Sequence, residues 1–163
     1  MNRQRRFWLF KSEPSCFSFD DLGNRPDGTE HWDGVRNFQA RNLLRDEIKP
    51  GDGVLFYHSN VTEPAVVGIA RVVSEGYPDW TALDPAGEHF DPRAGRDNPI
   101  WYMVDVRYVR PLARPVTLAE LKMHPEVADM VLLQRSRLSV QPVTPAQWEF
   151  ILRLGGIHEP FNQ

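Results

Sequence analysis

Residues 65–73, AVVGIARVV, are apolar on both faces when laid out as a strand. Successive side chains of a strand point to opposite faces of its sheet, so this segment needs cover above and below. It therefore belongs at the centre of a sheet. Gly68 and Ala70 are small and share one face, which leaves room there for a bend or a close neighbour. Further strands are predicted over residues 7–11, 54–58, 101–109 and 139–143. In the third of these, Tyr102, Val104, Val106 and Tyr108 make one apolar face, with Asp105 and Arg107 opposite.

Helical segments punctuate the strands. Asn37 can cap a helix running to Glu47, with Ala40, Leu43, Leu44 and Ile48 at helical spacing and a stop at Pro50 and Gly51. Asp20 and Asp21 follow Ser18 as helix N-terminal charges. Thr117 and Glu120 have capping-box spacing. Residues 125–134 read as a helix carrying Val127, Met130 and Val131 on one side. Thr144, Pro145 and Gln147 open a closing helix with Trp148, Ile151 and Leu152 on its apolar face, and Gly155 and Gly156 end it. This alternation predicts an α+β fold with a mostly antiparallel sheet. Closing the sheet into a small barrel with helices outside would remove exposed edges. An open sheet covered by helices is the alternative.

The 163 residues fit one domain spanning 1–163, with residues 1–6, including Arg3, Arg5 and Arg6, as a flexible solvated N-terminus. A hydrophobic share of 41% and a charged share of 25% suit a globular chain rather than a disordered one. The single cysteine, Cys16, excludes an internal disulfide and suits a reducing compartment, which points to the cytoplasm. No apolar run is long enough for a membrane span, and the apolar stretch after the basic N-terminus is too short for a signal peptide. A net charge of −3 argues against a broad nucleic-acid footprint, though not against a local one. The basic residues are 16 Arg and only 3 Lys, and Arg suits bidentate phosphate contacts and stacking.

Motifs for phosphate cradles, acyl-transfer serines and metal ligation are absent from the sequence. His31, His58, His89, His124 and His158 have no ligand spacing, so neither a metal nor a cofactor is expected. Cys16 reads as a packing residue. The longest irregular stretch is 82–99, and a loop of that length in a compact fold is usually functional or flexible.

Four stretches mix aromatic and hydrogen-bonding side chains beyond what a core needs: WLFKSEP from Trp8, WDGVRN from Trp32, FYHSN from Phe56 and YPDW from Tyr77. A fifth, RLSVQP from Arg137, is polar at alternate positions. Its Arg137, Ser139 and Gln141 share one face, which is either a solvated edge or one side of a concavity. Tyr57 and Ser59 share a face opposite Phe56 and His58, so at most half of that stretch can line one pocket.

In order along the chain, WDGVRN, FYHSN, PAVVGIARV, YPDW and RLSVQPV resemble the motifs of the EVE domain family, and the resemblance runs from Trp8 to Ile151. The short N-terminus lacks the long basic extension of eukaryotic members and looks more like a bacterial one. The resemblance implies a PUA-like fold, a small pseudo-barrel related to YTH, PUA and ASCH domains. It also implies a non-catalytic module that reads a modified base, with modified cytosine in DNA or RNA as the leading ligand.

A base taken from its stack needs flat faces and polar groups at its edge. Candidate stacking platforms are Trp8, Trp32 and Trp80, and Tyr57 is a further lining residue. Ser12, Asn37, Ser59 and Asp79 are candidate edge readers. Lys11, Arg36 and Arg137 are candidate phosphate contacts. Two other functions remain open. One is an enzyme acting on a nucleobase or RNA, with His58 as acid–base group. The other is a module for a small metabolite or a protein partner.

Overall fold

The computed structural model describes residues 3–134, 137–159 and 161. Among the described residues, eight strands occur in chain order: β1 (Phe7–Ser12), β2 (Thr29–His31), β3 (Gly53–His58), β4 (Ala65–Val72), β5 (Tyr77–Pro78), β6 (Tyr102–Met103), β7 (Asp105–Thr117) and β8 (Val140–Val143). The α-helices of the described residues lie between and after them: α1 (Phe19–Gly23), α2 (Phe38–Asn42), α3 (Leu118–Leu121), α4 (Val131–Gln134) and α5 (Pro145–Leu154).

Six strands form one curled mixed sheet in the order β2–β7–β4–β3–β1–β8, a half-barrel with helices outside it. Only the β1–β3 pair of this sheet is parallel. β5 and β6 make a separate two-stranded ribbon. β4 lies between β7 and β3, as its two apolar faces require. Gly68 gives the close approach expected of it: a Cβ there would sit 2.2 Å from the Phe19 ring. The β4–β7 register shifts on both sides of this position, so the bend and the missing side chain coincide.

The sheet carries a core on each face. Trp8, Phe10, Val54, Phe56, Ala70, Val72, Val104 and Val106 pack on one. Leu9, Leu55, Tyr57, Val66 and Ile69 pack on the other, beneath Trp148, Ile151 and Leu152 of α5. The strict alternation along β1 and β3 assigns the two sets.

Two predicted helices differ in detail. Asn37 caps α2 through the Ala40 N–H at 2.9 Å, but the helix widens into a π-type turn at Leu43–Glu47. Residues 125–134 are not one helix. A 3₁₀ turn at Pro125–Val127 is followed by a break and then α4. The Gln147 amide donates to the Asp129 carboxylate at 3.2 Å and holds that break against α5.

The N-terminal arginines, expected as a solvated arm, are tied down. Asp52 is fully buried and accepts from Arg3 Nη1 at 2.6 Å, the Trp8 indole N–H at 2.9 Å and the backbone N–H groups of Arg6 and Lys49. A buried carboxylate needs such partners, and the N-terminal segment supplies them. Arg5 donates to the Phe161 carbonyl, and Arg6 pairs with Glu47 while lying over the Trp8 ring. Residues 1–2 lie outside the described residues.

Candidate functional site

A cavity of about 630 Å³ opens where the end of β1, the turn at Glu13–Phe17, the Trp32–Arg36 segment and Ser139 meet. Lys11, Ser12, Phe17, Trp32 and Ser139 line it, and Glu88 and His89 close one side. The volume lies in the range of small-ligand sites. Trp32 is 8% exposed, so only a small part of its ring reaches the space. Phe10 at 5.2 Å, Phe56 at 5.4 Å and Phe17 at 6.2 Å pack around that ring. Its backbone N–H donates to the Val104 carbonyl at 2.8 Å, which fixes the segment to the sheet.

The Trp32–Arg36 segment is shaped from a distance by Asp79. Gly34 has φ +83, a left-handed conformation that favours glycine, and a Cβ there would approach the His89 imidazole to 2.7 Å. The Gly34 N–H donates to the Asp79 carboxylate at 2.8 Å. Arg36 Nη1 donates to the same oxygen at 2.9 Å, and Thr81 donates to the other oxygen through both its N–H and its hydroxyl. Burial pushes the Asp79 carboxyl up, but the bonds from Thr81, Gly34 and Arg36 outweigh it and hold the group below its ordinary value. Asp79 thus stays ionised and pins the loop.

Of the candidate platforms, edge readers and phosphate contacts, Lys11, Ser12, Trp32 and Arg36 come together on the cavity. The others do not line it. Trp8 is fully buried with its indole N–H on Asp52, so it offers no face to a ligand. Tyr57 is buried in the opposite core, where burial pushes its hydroxyl up to about 12. Asn37 uses its side-chain oxygen as a helix cap. Ser59 lies outside the lining and donates its backbone N–H to the Ser12 carbonyl. Asp79 is 1% exposed and consumed by the loop.

Trp80 is 54% exposed and packs on His31, one residue back from the lining. Arg137 is exposed, outside the lining. Arg36 lines the cavity, but its donors go to Asp79 and to the His89 and Val35 carbonyls. Its role as a phosphate contact is thereby replaced by one of bracing.

The polar face of the Arg137 stretch divides. Ser139 reaches the cavity, whereas Gln141 is buried and donates to the Leu138 carbonyl. Leu138 and Val140 enter the core together, as their alternation requires. Phe17, His31, His89 and Arg25 were not singled out as site residues. Phe17, Arg25 and His89 come from turns and loops, where no period marks which side chain faces a concavity, and His31 ends the three-residue strand β2, too short to show an alternation. Arg25 lies over Phe17 at 5.3 Å and pairs with Glu30, which also contacts His31.

The cavity therefore offers aromatic surface, the Ser12 and Ser139 hydroxyls, and the cations of Lys11, Arg25 and Arg36 beside the carboxylates of Glu13, Glu30, Asp33 and Glu88. The Ser12 hydroxyl donates to the Phe17 carbonyl at 2.5 Å, leaving its lone pairs to accept. Burial lowers the Lys11 ammonium from its ordinary value. His58 is elsewhere. Its Nε2 accepts the Phe19 N–H at 3.1 Å, and burial lowers its pKa against an opposing pull from Asp20. Among the described residues, no cluster of three His, Cys, Asp or Glu side chains could hold a metal ion, and no helix is long and apolar enough to cross a membrane.

A curled mixed sheet with external helices and a cavity at one end of its strands defines a PUA-like domain. The chain belongs to the EVE domain family, whose model matches residues 6–154. Human thymocyte nuclear protein 1 is 44% identical over 164 residues, covering 90% of this chain and 72% of the relative.

Among solved structures, a hypothetical protein from Leishmania major is similar at 48% identity and TM-score 0.89, covering 94% of this chain and 96% of the other. A Pseudomonas putida protein is similar at 44% identity and TM-score 0.86, covering 91% and 99%. The human THYN1 protein, solved in complex with 5-methylcytosine-containing DNA, is similar at 43% identity and TM-score 0.88, covering 95% and 99%. Eukaryotic and bacterial members match at comparable identity, so identity does not set this chain in a bacterial subgroup. A YTH domain of Zygosaccharomyces rouxii, at 19% identity and TM-score 0.55, shares the fold.

Proposed function

We propose that this chain is a non-catalytic reader that holds a modified base, modified cytosine in DNA or RNA, in the cavity at Trp32. The observation that carries this reading is the cavity itself: aromatic surface from Trp32 and Phe17 beside Ser12, Ser139 and Lys11, in a volume within the range of small-ligand sites and ample for a base. The likeness to the human THYN1 protein, solved with 5-methylcytosine-containing DNA, supports the ligand class. The exposed free thiol of Cys16 fits a reducing compartment such as the cytoplasm.

Binding rather than turnover is favoured by how the reactive groups are used. The Ser12 proton is committed to a carbonyl, and His58 serves the Phe19 N–H away from the cavity. Stacking contributes about 1–3 kcal/mol per base, whereas eversion from a duplex costs a few. Trp32 shows little of its face, so edge contacts must supply much of the affinity. An already unpaired base should bind better than one in a perfect duplex.

The test is a titration of labelled single- and double-stranded oligonucleotides with and without 5-methyl- or 5-hydroxymethylcytosine. Preferential binding of a modified strand is expected. No binding to any of them at up to about 100 µM protein removes the reading.

A further inference from the structure

The loop at 82–99 does more than close one side of the cavity. Beyond Glu88 and His89 it continues along a second depression of about 350 Å³, which shares the wall Arg36, Glu88 and His89 with the first. The far side of this depression is aromatic and cationic, formed by Phe38, Phe90 and Arg93.

Phe38 is 50% exposed and Phe90 40% exposed, although both are large apolar side chains that a core would bury. Phe38 stacks on Trp101 with ring centres 4.8 Å apart. Trp101 is itself fixed, because its indole N–H donates to Asp91 at 2.7 Å. Asp91 also takes the Arg93 guanidinium at 2.8 Å, which sets that cation at the rim. The carboxylate is thus spent on holding the depression together.

Backbone strain lies under the same spot. Ile100 has φ +64, a genuine outlier for a β-branched residue. Its carbonyl accepts from Arg41 Nη1, and the Arg41 guanidinium lies over the Phe38 ring. Strain of this kind persists where the surroundings over-determine a geometry, and it concentrates at ligand contacts.

We propose that this depression is a second subsite, which takes the base adjoining the one in the first cavity. The inference rests on the base-reading proposal. A base drawn into the first cavity leaves its neighbour unstacked. A polynucleotide leaving that cavity across the shared wall meets exposed rings and a guanidinium, the groups on which any base can stack. Glu88 stands in solvent at the rim, Arg41 lies over Phe38 and Arg36 over Trp101, and Arg93 lines the depression beside them.

The test uses two single-stranded probes, each with one 5-methylcytosine. One has ordinary neighbours and the other has abasic neighbours. The wild-type protein is expected to prefer the first by roughly tenfold, the contribution of one stacked base. Phe38→Ala and Phe90→Ala are expected to reduce that preference markedly while binding the abasic-flanked probe as the wild type does. Wild-type indifference to the neighbours, or an unchanged preference in both variants, overturns the subsite. Loss of the abasic-flanked probe in both variants also overturns it, because the rings would then only support the first cavity. If the wild type binds neither probe, the base-reading proposal fails and the subsite with it.

Discussion

The Gly34 N–H and the Asp79 carboxylate, 45 residues apart in sequence, meet at 2.8 Å. Through this bond the YPDW stretch sets the shape of the WDGVRN stretch, and Arg36 adds a second tie to the same oxygen. Asp79→Ala would strip the partners from Gly34, Thr81 and Arg36 together. The expected loss is about 3 kcal/mol of stability, typical of breaking a buried charged network. A larger proportional loss of oligonucleotide affinity is expected, because the segment bearing Trp32 is released. Thermal melts and binding titrations on the same protein check both.

Gly34→Ala tests the loop from the other side. It places a side chain at φ +83 and drives a Cβ toward the His89 ring. The conformational cost is about 1–2 kcal/mol, a fall of a few degrees in Tm for a chain this size. His89 must move to accommodate the methyl, so affinity is expected to fall while the sheet remains folded. Circular dichroism and a titration separate the two effects.

Asp52 belongs to the framework and not to the cavity. Burial pushes its carboxyl up, but hydrogen bonds from Arg3, Trp8, Arg6 and Lys49 outweigh this and hold it below 3.8. A depressed carboxylate stabilises the fold above its unfolded value, and that contribution disappears as pH falls below about 3.8. Asp52→Ala is expected to cost about 3 kcal/mol at neutral pH, since it leaves a buried indole N–H and two backbone donors unpaired. At a temperature where the variant is folded, oligonucleotide affinity is expected to be near that of the wild type.

His58 gives a pH signature in a different window. Burial, opposed by Asp20, holds it below 6.5, so the native state favours the neutral ring that accepts the Phe19 N–H. The unfolded chain binds a proton first as pH falls through 6.5, so stability is present above that value and declines toward the lower folded value. His58→Gln is expected to flatten the change in Tm between about pH 5 and 7. An unchanged slope would place the titrating group elsewhere.

The sheet was legible because alternation is local. Leu9 and Tyr57 fall on one face, with Trp8, Phe10 and Phe56 on the other, as period 2 demands. Helix caps at Asn37, Thr117 and Thr144 were legible for the same reason. The site was harder. Trp8 and Trp32 look alike in sequence, but Trp8 is taken by Asp52, 44 residues away. Arg36 is claimed by Asp79 and the His89 carbonyl, again across long separations. Ser139 was correctly placed opposite Leu138 and Val140, yet only the fold says which side of the sheet is hollow. Phe17 and His89 sit on turns without any period to reveal their direction.

The most direct measurement of the central claim is the affinity of the wild type and of Ser139→Phe for one oligonucleotide, with and without 5-methylcytosine. Ser139 lines the cavity, and an aromatic ring there would fill the space proposed for a base. The expected result is a wild-type preference for the modified strand that Ser139→Phe abolishes, with its circular dichroism spectrum unchanged. Equal binding of both strands by the wild type, or an intact preference in a folded Ser139→Phe, would contradict the account.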